Sequence, residues 1–413
     1  MLSLDRTTHE RLTGAIPPAM RERSAAAFEA FERLPMPDQA EESWRYADYD
    51  VDDLADLALV EQPGEGLDAS PMGAVLSAIS GRVVVVDGHV VSAEGDAVRT
   101  AAGGDLPEVP AVPADLDRFA AAHDAFGVDA AVVTAGRGQA IEAPVFVDLQ
   151  AVTPGVVTFP RVVVHAAEAS QLSVVVHQRS APDLSGVVVP RIEVLADTAA
   201  NVDLTIVQEW GSGVTAIAQQ RLTGGRDSHI TMAEAGLGGV FARLHLTVDL
   251  VGRGADARIL GAYFGDHAQT LDYRYFMNHA APSTTSNMFL KGAVAGEARS
   301  IFSGLIRIEE EGQGTNAHQT NRNLVLSDGA EAHSVPNLEI LANDVRCGHG
   351  SSVGPLDDEQ RYYLMSRGLS RERSDRLQVK GFFEDALTRF PIHDLEPPLR
   401  TAVMERYERV VAR

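Results

Sequence analysis

Six segments of this chain can be laid over one another, and their repetition limits the fold more than any other feature. They are VVVHAAEASQLSVVVHQ from Val162, EVLADTAANVDLTIVQ from Glu193, QRLTGGRDSHITMAEA from Gln220, DLVGRGADARILGAYF from Asp249, MFLKGAVAGEARSIFS from Met288 and VLSDGAEAHSVPNLEI from Val325. Each reads as strand, turn of small residues, strand. The first four recur at intervals of 30, 27 and 28 residues, counted from His165, Leu195, Leu222 and Leu250. The last two, at Leu290 and Leu326, are spaced more widely. Imperfect repetition of this length without helical periodicity is the signature of a solenoid, whose units bury their apolar faces only against their neighbours. Strands of successive coils then stack at about 4.8 Å, and their inward side chains form an apolar column. An immunoglobulin-type sandwich closes within about 100 residues, whereas this pattern runs from about residue 130 to residue 354. The expected class is mainly β, with a parallel β-helix over residues 129–354.

The flanks read differently. Residues 1–128 are mixed and mostly helical: apolar positions in Ala25–Phe31 and Leu54–Val60 recur at helical spacing, and Pro17, Pro18, Pro35 and Pro37 interrupt them. Gly81–His89 predicts a strand and an Asp-Gly turn opening a hairpin. Ala101–Pro113 has the composition of a linker, and Leu116–Phe126 predicts a short helix. Residues 355–413 return to helices. Asp357 is the expected N-cap of the first, Ser370 or Ser374 starts a second that breaks at Pro391, and Leu399–Val411 forms the last. These helices are expected to cap one end of the solenoid, because an open end exposes strand edges.

Charge and rare residues exclude several function classes. With 58 acidic and 35 basic residues the formal charge is −23, and no basic cluster suits nucleic acid. No apolar run is long enough to span a membrane, and the first fifteen residues lack the apolar core of a signal peptide, so the expected location is the cytoplasm. Cys347 is the only cysteine, which rules out an intrachain disulfide and any multi-cysteine metal site. The only lysines, Lys291 and Lys380, both precede glycine without the Gly-Lys-Ser/Thr of a phosphate loop, so no nucleotide site of that kind is expected.

Cys347-Gly348-His349 follows an extended stretch. In a strand, residues i and i+2 face the same side, so thiol and imidazole would point together, and both are good ligands for iron or zinc. Spacing alone equally suits a buried small residue and a histidine bonded to a turn. His165 and His177, one strand-turn-strand apart, could approach across a coil. His267, Gln269, Asp272 and His279 form a polar run that could equally satisfy backbone groups.

The segment around the C-x-H pair resembles the carboxy-terminal signature of the SufB/SufD family, the scaffold subunits of the SUF iron–sulfur cluster assembly system. Pro336, Leu338, Glu339, Ile340, Asp344, Val345, Cys347, His349, Gly350, Val353 and Gly354 fit that pattern, with Asn343 and Arg346 departing where an acid and a lysine are usual. Tyr363-Leu364, Ser366-Arg367-Gly368 and Gly381-Phe382 match downstream. His279, Ser286, Lys291-Gly292, Phe302-x-Gly304 and Gln319-x-Asn321-Arg322-Asn323-Leu324 match upstream. Near the start, Glu42-Ser-Trp44-Arg45-Tyr46 resembles a short element typical of the SufD branch, and chain length and cysteine count side with that branch over SufB.

The resemblance implies a right-handed parallel β-helix flanked by helical domains, with no catalytic residues of its own. It implies a heterodimer with SufB through the β-helix and docking of the SufC ATPase on the carboxy-terminal helices, or a homodimer when isolated. It also implies a transient iron–sulfur cluster shared with the partner, with His349 as a ligand and Cys347 as a less certain one. Competing readings are a SufB-like or homodimeric scaffold, a polysaccharide-active β-helix enzyme, and a metal enzyme on a left-handed β-helix. The two enzyme readings lack, respectively, an aromatic groove (Trp44 and Trp210 are the only tryptophans) and strict hexapeptide repeats.

Overall fold

Two long sheets face each other across a filled interior in the computed structural model, which describes residues 1–14, 18–100 and 107–411. Pro17 and residues 101–106 of the expected linker lie outside the described residues. The chain alternates between a 13-stranded and a 10-stranded sheet, and consecutive coils pair in parallel. In the first sheet Val164, Val194, Leu222, Val248, Met277, Ile306 and Leu338 stack in register, at steps of 26 to 32 residues. Across from them stack Val83, Val147, Val176, Ile206, Glu234, Gly261, Leu290, Asn321 and Ser351. The parallel β-helix is therefore the observed fold, and its coil length stays regular to the last turn.

The six segments share neither one register nor one corner of the coil. His165 pairs with Leu195, then Thr223 and Asp249, so Leu222 and Leu250 sit one place out of register. The segments from Met288 and Val325 span the opposite corner of the coil, where the chain passes from the 10-stranded to the 13-stranded sheet. That change of corner accounts for the wide step to Leu290, and Leu326 lies past Asn321, the register partner of Leu290.

The small-residue turns have a physical reason. At one corner Gly138, Ala169, Ala199, Asp227, Gly254, Ser283 and Gly314 all have positive φ. Each donates its N–H to a carbonyl of the next coil, on Glu168, Thr198, Arg226, Arg253, Pro282, Gln313 and Asp344, at 2.6–3.2 Å. A left-handed conformation costs a non-glycine residue about 1–2 kcal/mol. Here each strained residue continues the hydrogen-bond ladder around the bend.

Both sheets are covered on their outer faces as well, which explains why strands such as Val145–Ala151 are apolar at successive positions. Among the described residues, helices supply part of that cover: α1 (Arg6–Thr13), α2 (Pro18–Arg33), α3 (Pro71–Ala74), α4 (Arg118–Phe126), α6 (Arg371–Leu387) and α7 (Glu396–Val411), while α5 (Asp358–Ser366) packs on α6 and buries no residue of its own. Asp357 caps α5 and Ser370 caps α6, as their sequences predict. Pro397 and Pro398 lie inside the first turn of α7, where a missing N–H costs nothing. Gly81–Val86 and His89–Glu94 form the expected hairpin, and its first strand joins the 10-stranded sheet beside Val145–Ala151. Leu54–Val60 is not a helix. Asp53 caps one short turn, and Ala58–Leu59 then pairs as a strand with Val156–Val157.

The carboxy-terminal helices do not cap an end. Val379, Phe383, Leu387, Leu399, Val403 and Tyr407 pack sideways on Val175, Val207, Ala233, Ala235, Ala262 and Phe264 of the 10-stranded sheet. Small outward residues make that face flat and apolar, so it is the surface that most needs cover. Lys291 anchors α6 through Asp385 at 2.7 Å, and the Arg406 guanidinium donates to the Leu237 carbonyl. The last two strands, Glu331–Ile340 and Arg346–Gly354, are consequently left with an uncovered edge, and Val335, Ile340, Leu341 and Val353 are exposed there. Among the described residues no helix is long and apolar enough to cross a membrane.

The amino-terminal helices are held to the 13-stranded sheet by buried charge. Arg191, fully buried, bonds Asp124 of α4 at 2.6 Å, and Arg23 of α2 reaches the same carboxylate at 2.8 Å. Glu193 pairs with Arg161 and accepts the Val112 N–H. Burial alone would raise the Asp124 pKa, but the guanidinium groups of Arg191, Arg23 and Arg161 overcome it and hold the carboxyl well below its usual range. Removing one partner of such a network leaves an uncompensated buried charge. Asp124→Ala should therefore cost roughly 3–5 kcal/mol in chemical denaturation. A loss below about 1 kcal/mol, the range of an exposed ion pair, would show that the network does not clamp the two parts.

Candidate functional site

Cys347 and His349 lie in the last strand, Arg346–Gly354, and alternation turns both toward the interior. Cys347 stacks on Ala317, which stacks on Ser286 of the coil below. It is half-buried against the core, and burial pushes its thiol pKa up, away from the reactive thiolate. His349 stacks on Gln319 and is exposed, because no further coil covers it. The pair sits at the mouth of the solenoid interior, with one face of the would-be site open to solvent. Among the described residues no group of three or more His, Cys, Asp or Glu side chains could hold a metal ion.

The interior changes character toward that mouth. Its early layers are apolar, built from residues such as Val162, Val164, Leu172, Val174 and Val176. On the 10-stranded sheet its last layers carry polar side chains joined by hydrogen bonds, whereas Ile306 and Leu338 on the facing sheet keep it apolar. Tyr263 donates to the Asn323 side-chain oxygen at 2.6 Å, and Asn323 donates to Asn321 at 2.7 Å. Ser334 donates to Asn321, and Ser351 donates to Ser334, both at 2.7 Å. The line runs from a buried tyrosine to an exposed serine beside His349. Two glycines make room for it. A Cβ at Gly292 would lie 1.9 Å from the Tyr263 ring, and one at Gly304 would lie 2.6 Å from the Gln319 amide. Gly292, Gly304, Gln319, Asn321 and Asn323 lie in the family-like stretch upstream of the C-x-H pair, where the sequence assigns them no role. The available signal is polar side chains at 319, 321 and 323, every second position, where a strand of this solenoid otherwise carries its apolar set.

Deeper in, Glu234 faces the same interior beside Gln178, Gln208, Trp210 and Tyr273, around a cavity with room for about one water molecule. One carboxyl oxygen of Glu234, the Trp210 indole nitrogen and the Gln178 amide nitrogen are buried there without a hydrogen bond. Burial raises the Glu234 pKa to about 8.

The other candidate histidines do not converge. His165 and His177 point from the outer faces of opposite sheets, where His165 bonds Asp197 and His177 bonds Ser70 and Glu209. Gln269 satisfies the backbone of Asp266 and Gly239, Asp272 pairs with Arg243 and Arg274, and His279 is locked between Thr284 and Ser286. His267 occupies a turn with positive φ.

Residues 149–382 match the family model described as SUF system FeS cluster assembly, SufBD core domain. The chain is 32% identical over 295 residues to an iron–sulfur cluster assembly SufBD family protein of Mycobacterium leprae, covering 70% of this chain and 74% of the relative. It is similar to the iron–sulfur cluster assembly protein SufD of Escherichia coli, 26% identical over 364 residues, with 85% and 84% covered. It is also similar to SufD of Bacillus subtilis, 33% identical over 215 residues, with 52% and 49% covered.

The state of Glu234 gives the interior a pH signature. Its folded pKa is raised, so its contribution is full below the unfolded value near 4.5 and is lost as pH rises toward about 8. Glu234→Gln should remove that slope, gaining roughly 3 kcal/mol at pH 7 and less than about 1 kcal/mol at pH 5. Denaturation curves of both proteins at pH 5, 7 and 8 check this, and an unchanged difference across the three would contradict it.

Proposed function

The chain belongs to the SufBD family of iron–sulfur cluster assembly proteins, and from that premise we propose that it is a non-catalytic scaffold subunit supplying half of a cluster-building site. A mainly β solenoid with an open, polar mouth supports this reading. The observation that carries it is His349, an exposed imidazole with no hydrogen-bond partner among the described residues, at that mouth. One cysteine and one histidine cannot satisfy iron, which takes several thiolate or imidazole ligands. The remaining ligands come from a second subunit that covers the end of the coil, which in this family is SufB. Apolar Val335, Ile340, Leu341 and Val353, exposed on the last strands, suit such a partner.

The iron–sulfur cluster is cargo in this scheme. His349 is the ligand, with neutral imidazole nitrogen as donor, and Cys347 packs beside it as a secondary ligand once deprotonated. SufC, the ATPase, docks on the carboxy-terminal helices. Tyr362, Tyr363 and Met365 of α5 and Leu377 of α6 are large apolar residues left exposed on these helices. ATP hydrolysis in SufC then acts on the solenoid through α6 and α7, whose apolar faces are packed along its side.

His349→Ala should lower the iron and sulfide content of the anaerobically purified complex several-fold while leaving its subunits together. Unchanged content would contradict the role of His349. Tyr362→Ser with Tyr363→Ser should weaken SufC capture and reduce the change this subunit makes in the SufC ATPase rate. Unaltered binding would place SufC elsewhere.

A further inference from the structure

Beneath His349 the interior column Leu204, Met232, Ile259, Met288 is apolar, and it ends in Gln319 and then His349. Gln319 is fully buried, yet neither its amide nitrogen nor its oxygen makes a hydrogen bond. The neighbouring columns differ. Asn321 is satisfied within the Tyr263–Ser351 line, and Ala317 under Cys347 has nothing to satisfy. An unpaired buried amide costs about 1–3 kcal/mol, and leucine would fill this column without that cost. The amide lies where Gly304 leaves space for it at the lumen axis, one strand spacing of about 4.8 Å below the histidine.

We propose that Gln319 is a positioning residue for His349. By rotation of the two side chains its amide oxygen accepts an imidazole N–H, which fixes one tautomer and leaves the other ring nitrogen unprotonated at the mouth. A metal-binding histidine needs such an acceptor behind it, and losing one typically weakens metal binding 10–100-fold. The proposal deepens the reading of His349 as a ligand and rests on it. It also explains why an amide ends an otherwise apolar column directly beneath an imidazole with no other partner.

The test uses the full chain labelled with ¹⁵N-histidine, with His349→Ala assigning the signal. Long-range nitrogen–proton spectra at pH 8 report the tautomer of His349 without any metal. Wild type and Gln319→Glu should each show one dominant tautomer, and Gln319→Leu a mixture, with thermal melting confirming that the leucine variant is folded. Identical His349 spectra in wild type and Gln319→Leu would overturn the proposal. The two readings fail separately. An unchanged tautomer with an intact effect of His349→Ala on cluster content removes only the positioning role. A shifted tautomer with no effect of His349→Ala removes only the ligand role.

Discussion

Backbone hydrogen bonds between coils run along the axis of this solenoid, so each coil is satisfied only by the coils above and below it. The register they impose is strict. Residues that face inward in one layer sit directly over their counterparts in the next, as in the column from Val164 to Leu338. Any polar group in that column must find its partner within a layer or two or remain unsatisfied. The stack must also stop somewhere, and at the stop a row of backbone groups and inward side chains meets solvent. The last coil here stops with Cys347, His349 and Ser351 facing an uncovered mouth.

Where the helices went follows from the same constraint. Sheets this apolar on their outer faces demand cover along their length, and α6 and α7 are committed to Val207, Ala235 and Phe264 on the side of the stack. They cannot also close its end. The buried network of Arg191, Asp124, Glu193 and Arg161 does the equivalent work for the amino-terminal helices with charge in place of apolar contact. Such pairs contribute little net stability but penalise any arrangement that separates them.

Much of this was legible in the sequence. The strand-turn-strand repeat, the hairpin at Asp87-Gly88 and the caps at Asp357 and Ser370 rest on local chemistry that one chain displays in order. The register of Leu222 and Leu250 was not, because a corner one residue longer or shorter preserves the look of the segment while shifting its partner. Nor was the open end, which depends on what α6 and α7 prefer to cover. The C-x-H pair was visible at Cys347 and His349, but the polar line from Tyr263 to Ser351 was hidden by distance in sequence, spanning coils that only the fold brings together. Gln319 stood within a recognised run of residues without a reason, which appears once the column beneath His349 is seen.

Completion of the site by a second subunit at the mouth of the coil, as proposed, is measured directly by hydrogen–deuterium exchange on the chain alone and after mixing with SufB. Residues 331–354, including the uncovered strands and His349, should become strongly protected in the assembly, while the buried strands of the early coils stay unchanged. Equal exchange across residues 331–354 in both states, with protection appearing elsewhere, would contradict it.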